Sequence, residues 1–250
     1  MTTLLSCKRL MKDIDILVKN YDELKARGVY VNVDEANMHN IKVMIVPRPK
    51  SEGNNLISPY TYGYFIFTFH FPSDFPLSPP KVTFHPQQSY CRLHPNYYEN
   101  GKVCLSVINT WSNNDWTPST SIMSLISILE ERFNEKAVCF EPSREMSRAN
   151  EMMHYNNVVE YAKYKVCIIN VLNSLDTPTS LFHCFKEQIL QELNENNHYL
   201  IQRLDALSLS IDNKTLSDTY GHTLICDCQK MKSEFQATLQ RVMILYLMKA

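Results

Sequence analysis

Apolar residues at Leu10, Ile14, Leu17, Tyr21 and Leu24 recur every three or four positions, and the run ends at Arg27-Gly28. That period lines one face of an amphipathic opening helix, with the glycine placed to take a left-handed cap. Strand-like segments follow at Val29 to Val33, Ile41 to Val46 and Tyr64 to Phe71, where the period shortens toward two. In the last, Phe65, Phe67, Phe69 and Phe71 alternate with Tyr64, Ile66, Thr68 and His70, so the phenyl rings share one face of a pleated strand and are predicted core. The stretch PRPKSEGNNLISPYTYG before it reads as a long exposed connection, longer than usual around Ser51 to Ser58. PSDFPLSPPKVTFHP then supplies a turn and a fourth strand, Lys81 to Phe84, which predicts a four-stranded antiparallel meander.

From Gln87 to Thr117 the chain has no regular period, and so long an irregular stretch inside a compact domain is usually functional. A second helix is expected with Thr117 as N-cap, Pro118 at its first position and Ile122, Leu125, Ile126, Leu129 and Phe133 as its buried stripe. A third amphipathic stretch runs from about Glu145 to Leu172. Beyond Thr177-Pro178 the apolar positions Leu181, Phe185, Ile189, Leu193, Leu200, Leu204 and Leu207 are helical in spacing, and Met231, Phe235, Leu239, Val242 and Tyr246 predict a closing helix. The expected class is α+β, with a core over 1–172 and an α-helical extension over 173–250.

Composition narrows the function. The chain has 250 residues, 44% hydrophobic and 20% charged, enough to bury a substantial core. Lys plus Arg number 25 against 26 Asp plus Glu, a net charge of −1, so no bulk field favours nucleic acid or an anionic membrane. No run approaches the ~18 apolar residues of a membrane span, and the N-terminus breaks into charge before a signal-peptide core forms. An intracellular protein, cytoplasmic or also nuclear, is expected. The eight scattered cysteines read as reduced thiols, and Cys226-x-Cys228 with His222 lacks a second ligand pair at zinc spacing, so no metal is expected.

The irregular stretch carries the candidate chemistry: HPNYYENGKVCLSVINTWSNNDWTPS, from His94 to Ser119. His94-Pro95-Asn96, then Gly101-Lys102-Val103-Cys104-Leu105, then Trp116-Thr117-Pro118, with FPSDFPLSPPKVTF upstream, resemble the ubiquitin-conjugating enzyme family over about residues 5 to 170. The C-terminal hundred residues and Thr110-Trp111 resemble the family's large Z type, which carries a helical extension. The resemblance implies the conjugating-enzyme (UBC) fold: N-terminal helix, four-stranded sheet, active-site loop and C-terminal helices.

It also implies roles. Cys104 would accept a ubiquitin or ubiquitin-like glycyl group from an activating enzyme and pass it to a substrate lysine, directly or through a ligase. Sulfur both attacks an acyl group and leaves from it near neutral pH, which suits this carrier chemistry. Asn96 would stabilise the oxyanion or support the loop; His94 would organise the loop, and Glu141, before Pro142, would orient or deprotonate the lysine. Tyr97, Tyr98 and Trp111 are expected to pack the loop, and Cys139 to be a buried thiol. ATP is consumed by the activating enzyme, so no cofactor is expected. Partner contacts would fall on Lys8, Arg9, Lys12, Leu77 and Pro118, the basic residues otherwise being a solvated helix face.

Three departures stand out: Leu77 where many members place an aromatic ligase contact, Ser106 where many carry Asp, and Lys136-Ala137 in place of Asn-Pro. The rival reading is a catalytically inactive binding module of the same fold, against which the retained Cys104, Asn96 and their spacing argue. A cysteine hydrolase using Cys104 and His94 has no orienting third group.

Overall fold

The computed structural model describes residues 4–49, 58–87, 89–111 and 115–247, with the side chains of 245–247 excepted. Most of the connection at Ser51 to Ser58 and the Tyr246 side chain therefore lie outside the described residues. The single expected opening helix is two, α1 (Leu4–Lys19) and α2 (Tyr21–Ala26). They part at Asn20, whose side-chain amide donates to the Ile16 carbonyl at 2.7 Å, a local bond that competes with the helical ladder. Gly28 follows at φ +80°, and a Cβ there would meet the Val46 carbonyl oxygen at 2.1 Å, so glycine alone lets the chain turn onto the sheet.

The sheet is the expected meander, β1 (Val29–Val33), β2 (Asn40–Ile45), β3 (Phe65–His70) and β4 (Lys81–Phe84), antiparallel in the order β1-β2-β3-β4. Its register puts Val43 beside Phe67 and Phe67 beside Phe84, which stacks the phenyl face into one apolar layer. Phe65 meets Phe133 at 4.4 Å between centroids and Phe67 meets Tyr97 at 5.0 Å, so this layer is also the floor of the loop carrying Cys104. The opposite face is not left to solvent throughout. Tyr30, Met44 and Ile66, neighbours across three strands, are buried, and the Tyr30 hydroxyl donates to Glu192 in the chain's second half.

Helix α3 (Ile122–Glu131) buries its expected stripe but begins four residues later than Pro118 suggests. Ser121 is the N-cap, accepting from the Ser124 amide at 3.1 Å, while Thr117 to Thr120 closes a turn through a 2.9 Å backbone bond. The third stretch is one helical run, α4 (Ala149–Lys163), a wider π-type turn over Tyr164–Ile169, and α5 (Asn170–Ser174). The Tyr64 amide, at the head of β3, donates to the Cys167 carbonyl at 3.0 Å. That bond draws a carbonyl from the ladder inside the wide turn, an identifiable cause for it.

The extension is α6 (Lys186–Ile211), a hairpin of β5 (Thr215–Ser217) and β6 (Thr223–Ile225), and α7 (Cys228–Leu247). It is therefore not wholly helical, and the hairpin is an element the periodicity does not announce. No helix among the described residues is long and apolar enough to cross a membrane.

Candidate active site

The segment Tyr97 to Cys104 is a tight double-back built on the edge of β4. The Phe84 amide donates to the Gly101 carbonyl at 2.9 Å, and Thr83 bridges Lys102. Gly101 sits at φ +87°, where a Cβ would press on the Phe84 carbonyl oxygen at 2.8 Å. A side chain there would push the cysteine-bearing strand off the sheet edge. From that bridge the backbone pairs Val103 with Tyr97 and delivers Cys104 beside Asn96.

Asn96 and Cys104 clasp each other twice. The Cys104 amide donates to the Asn96 carbonyl at 2.9 Å, and the Asn96 side-chain amide donates to the Cys104 carbonyl at 3.0 Å. The latter contact fixes the orientation of the side chain, since a carbonyl can meet only the NH2 end. Asn96 Oδ1 is buried with no partner. Cys104 is 3% exposed, and its thiol points to the Thr110 carbonyl at 3.5 Å. Thr110 closes the other side of the Cys104 turn, its hydroxyl accepting from the Leu105 amide at 2.8 Å and donating to the Leu105 carbonyl at 3.0 Å. Ser106 opens the short 3-10 turn between them.

His94 is fully buried and reads both ends of its surroundings. Its Nδ1 accepts from the Asn96 amide and its Nε2 donates to the Arg132 carbonyl, each at 3.0 Å, which requires the neutral ring with the proton on Nε2. Tyr97 stacks on it at 4.5 Å and donates to the Leu129 carbonyl at 2.8 Å, so the loop is anchored on the last carbonyls of α3. Burial pushes the His94 imidazole down to about 3.

Below its ordinary value of 6.5 the unfolded chain carries a proton on His94 that the folded chain refuses. The stability His94 contributes is therefore complete above that pH and is lost as pH falls toward about 3. His94→Gln is expected to be less stable at pH 7, with the gap to the wild type narrowing below pH ~6.5 by up to about 1.4 kcal/mol per pH unit. Urea midpoints at a series of pH values check this, and a constant gap would overturn the neutral buried ring.

The other expected site residues separate. Glu141 does not turn to the His94–Asn96–Cys104 group: its Oε2 accepts from the Tyr220 hydroxyl at 2.6 Å and lies 3.8 Å from Arg92 Nη2. Arg9 is occupied within the fold, pairing with Asp13 at 3.1 Å and donating to the carbonyls of Pro118 and Thr120. Lys8, Lys12, Leu77 and Pro118 are exposed. Trp111 is 57% exposed, against the expectation that it packs the loop, whereas Tyr98 lies under Arg92 with 3.6 Å from guanidinium carbon to ring centre. Cys139 is half-buried, its sulfur 4.0 Å from that of Met152. The described residues contain no group of three or more His, Cys, Asp or Glu side chains arranged to hold a metal, the Cys226–Cys228 region included. Arg92 and Tyr220, absent from the expected set, are the additions that geometry makes.

A family model for ubiquitin-conjugating enzymes matches residues 9–163, a span that contains the whole sheet, the His94–Asn96 loop and Cys104. The chain belongs to the ubiquitin-conjugating enzyme family and carries a C-terminal extension beyond the matched segment. Among its relatives are ubiquitin-conjugating enzyme E2 Z of Danio rerio, 29% identical over 170 residues (66% of this chain, 49% of the relative), and E2 Z of Homo sapiens, 27% identical over 197 residues (78% and 52%). Probable ubiquitin-conjugating enzyme protein 17 of Caenorhabditis elegans is 28% identical over 258 aligned residues, covering 91% of this chain and 34% of the relative. That last alignment reaches into the extension. The chain spans about half the length of the E2 Z relatives.

Proposed function

We propose that the chain is a ubiquitin carrier: Cys104 accepts the C-terminal glycyl group of ubiquitin or a ubiquitin-like protein as a thioester from an activating enzyme and passes it to a lysine amine or a ligase cysteine. In charging, the Cys104 sulfur attacks the donor thioester carbonyl and the activating enzyme's thiolate leaves. In discharge to lysine, the amine attacks the same carbonyl, a tetrahedral oxyanion forms, and the Cys104 thiolate leaves as the nitrogen gives up its proton. ATP is used upstream, by the activating enzyme. The observation that carries the proposal is the reciprocal clasp of Asn96 and Cys104 inside the segment the family model spans. It puts a side-chain amide donor directly against the backbone of the residue that would carry the acyl group.

Asn96 has two duties in this scheme. At rest its NH2 secures the loop, and during aminolysis the same donor is available to a developing oxyanion. His94, neutral and doubly bonded, organises the loop and does not act as a base. Lys8, Lys12, Leu77 and Pro118 form the exposed surface assigned to activating-enzyme and ligase contact.

The test is a charging assay with ubiquitin, ATP and each ubiquitin-activating enzyme, resolved on non-reducing gels with and without thiol reductant. A reductant-sensitive adduct supports the carrier function, and no adduct with any activating enzyme overturns it for ubiquitin. In the same assay Asn96→Ala is expected to slow discharge to free lysine about a hundredfold, with charging slowed far less. Equal slowing of both steps would leave Asn96 the loop-supporting duty alone.

A further inference from the structure

The hairpin of the extension reaches the active-site loop, and Tyr220 at its turn makes the contact closest to the His94–Asn96 tripeptide. The β5–β6 hairpin is tied at its turn by Asp218, whose Oδ1 accepts from the amides of Tyr220 and His222 at 2.8 Å each and whose Oδ2 lies 2.6 Å from His222 Nδ1. Gly221, at φ +92°, completes the turn. The hairpin so stiffened is tied to the core on both sides of its turn: His154 Nε2 meets the Ser217 carbonyl at 2.8 Å, His222 Nε2 lies 3.4 Å from Glu99, and the Tyr161 hydroxyl donates to the Ile225 carbonyl at 3.5 Å.

Between these points Tyr220 lays its ring on Arg92, 4.3 Å from the guanidinium carbon, and the Tyr98 ring lies 3.6 Å from the same carbon. A planar guanidinium packed by two aromatic rings loses most of its freedom to rotate, so the plane of its N–H groups is fixed. Those groups are spent on the active-site tripeptide. Arg92 Nε donates to the His94 carbonyl at 3.4 Å and Nη2 donates to the Pro95 carbonyl. Nη2 also lies 3.8 Å from Glu141 Oε2, the same oxygen that accepts from the Tyr220 hydroxyl.

We infer that Tyr220 is a positioning residue for acyl transfer: by clamping Arg92 against Tyr98 it holds the His94 and Pro95 carbonyls, and through them the Asn96 side chain, in the arrangement that meets the acyl group on Cys104. The extension thereby sets the geometry of a site to which it contributes no reacting atom. This deepens the carrier proposal and rests on it. The role is expected to show on aminolysis more than on charging, because aminolysis is the step in which the Asn96 amide is proposed to meet the oxyanion. Glu141 belongs to the clamp and not to the lysine.

The experiment is single-turnover chemistry on the full chain. Tyr220→Ala is expected to discharge pre-formed Cys104 thioester to free lysine about tenfold more slowly, with charging within about twofold of the wild type, consistent with the loss of one desolvated cation–π face. Tyr220→Phe keeps the stacking ring and is expected to restore most of that rate. Should Tyr220→Ala fail to fold, Arg92→Lys decides, since it keeps the charge but loses the planar fork and is expected to show the same split. Wild-type discharge in both Tyr220→Ala and Arg92→Lys, or an equal fall in charging and discharge, overturns the inference. Amide hydrogen exchange provides the arm independent of ubiquitin. Faster exchange at Asn96 and Cys104 in Tyr220→Ala, with α6 unchanged, is expected even if the wild type carries no thioester, and unchanged exchange at those amides overturns the positioning role by itself.

Discussion

Cys104→Ser is expected to replace a reductant-sensitive ubiquitin adduct with a reductant-resistant one that no longer yields to lysine, and Cys104→Ala is expected to form no adduct at all. The difference between sulfur and oxygen decides this. A thiol ionises near physiological pH and its thiolate leaves readily from a tetrahedral intermediate; a serine hydroxyl does not ionise there and its alkoxide leaves poorly. The expected loss is complete because Cys104 is the cysteine held in the Asn96 clasp, and several of the others are poor thiolate donors. Burial pushes the Cys91 thiol up to about 12, that of Cys226 to about 11 and that of Cys228 to about 12, and it raises Cys167 as well. A thiol held so far above neutral pH presents almost no thiolate. Non-reducing gels and peptide mapping of the charged species check the prediction. Undiminished reductant-sensitive charging in Cys104→Ala would move the carrier to another cysteine and overturn the assignment.

Legibility along the chain follows the range of each interaction. The strands could be read because alternation is local: the expected Val29 to Val33 and Lys81 to Phe84 are the observed β1 and β4. The His94–Asn96 and Gly101–Leu105 segments were readable as motifs of a family. Helix starts were less so, since Pro118 and Ser121 both carry N-terminal signals and only the Ser124 amide bond chooses between them. The π-type turn at Tyr164–Ile169 depends on a strand amide about a hundred residues upstream, which no local pattern contains. The hairpin strands have three residues each, too few for a period. Glu141 shows the same limit at the site itself. Its position before Pro142 suggests a rim carboxylate, but its partner, Tyr220, is 79 residues away.

The same long-range logic governs how the extension is held, and it yields the second large effect. Glu192, on α6, is 3% exposed, and Arg48, just past β2, grips both of its oxygens. Tyr30 of β1 donates to Oε1, and Asn196 donates to Oε2 at 3.2 Å. A second fork lies along α6, where Arg203 holds Glu160 of α4 at 3.1 and 2.8 Å. These pairs join the extension to the sheet and to the core helix in turn. Removing Arg48 alone would strand a buried carboxylate, and a broken buried pair of this kind costs about 3–5 kcal/mol. Arg48→Ala is therefore expected to lower the urea midpoint by an amount equal to about 3 kcal/mol, the lower end applying because the arginine keeps some contact with water. The double variant Arg48→Met with Glu192→Met removes both charges and is expected to recover most of the loss, because apolar side chains of similar length can fill the space without a desolvation debt. If the extension were only loosely seated, Arg48→Ala would leave the midpoint unchanged, and the ion pair would be a surface contact of little weight. A single cooperative transition shifted as a whole is the expected curve, since Glu192 reaches β1 through Tyr30 and the chain after β2 through Arg48 at once, so loosening it loosens the sheet and the extension together.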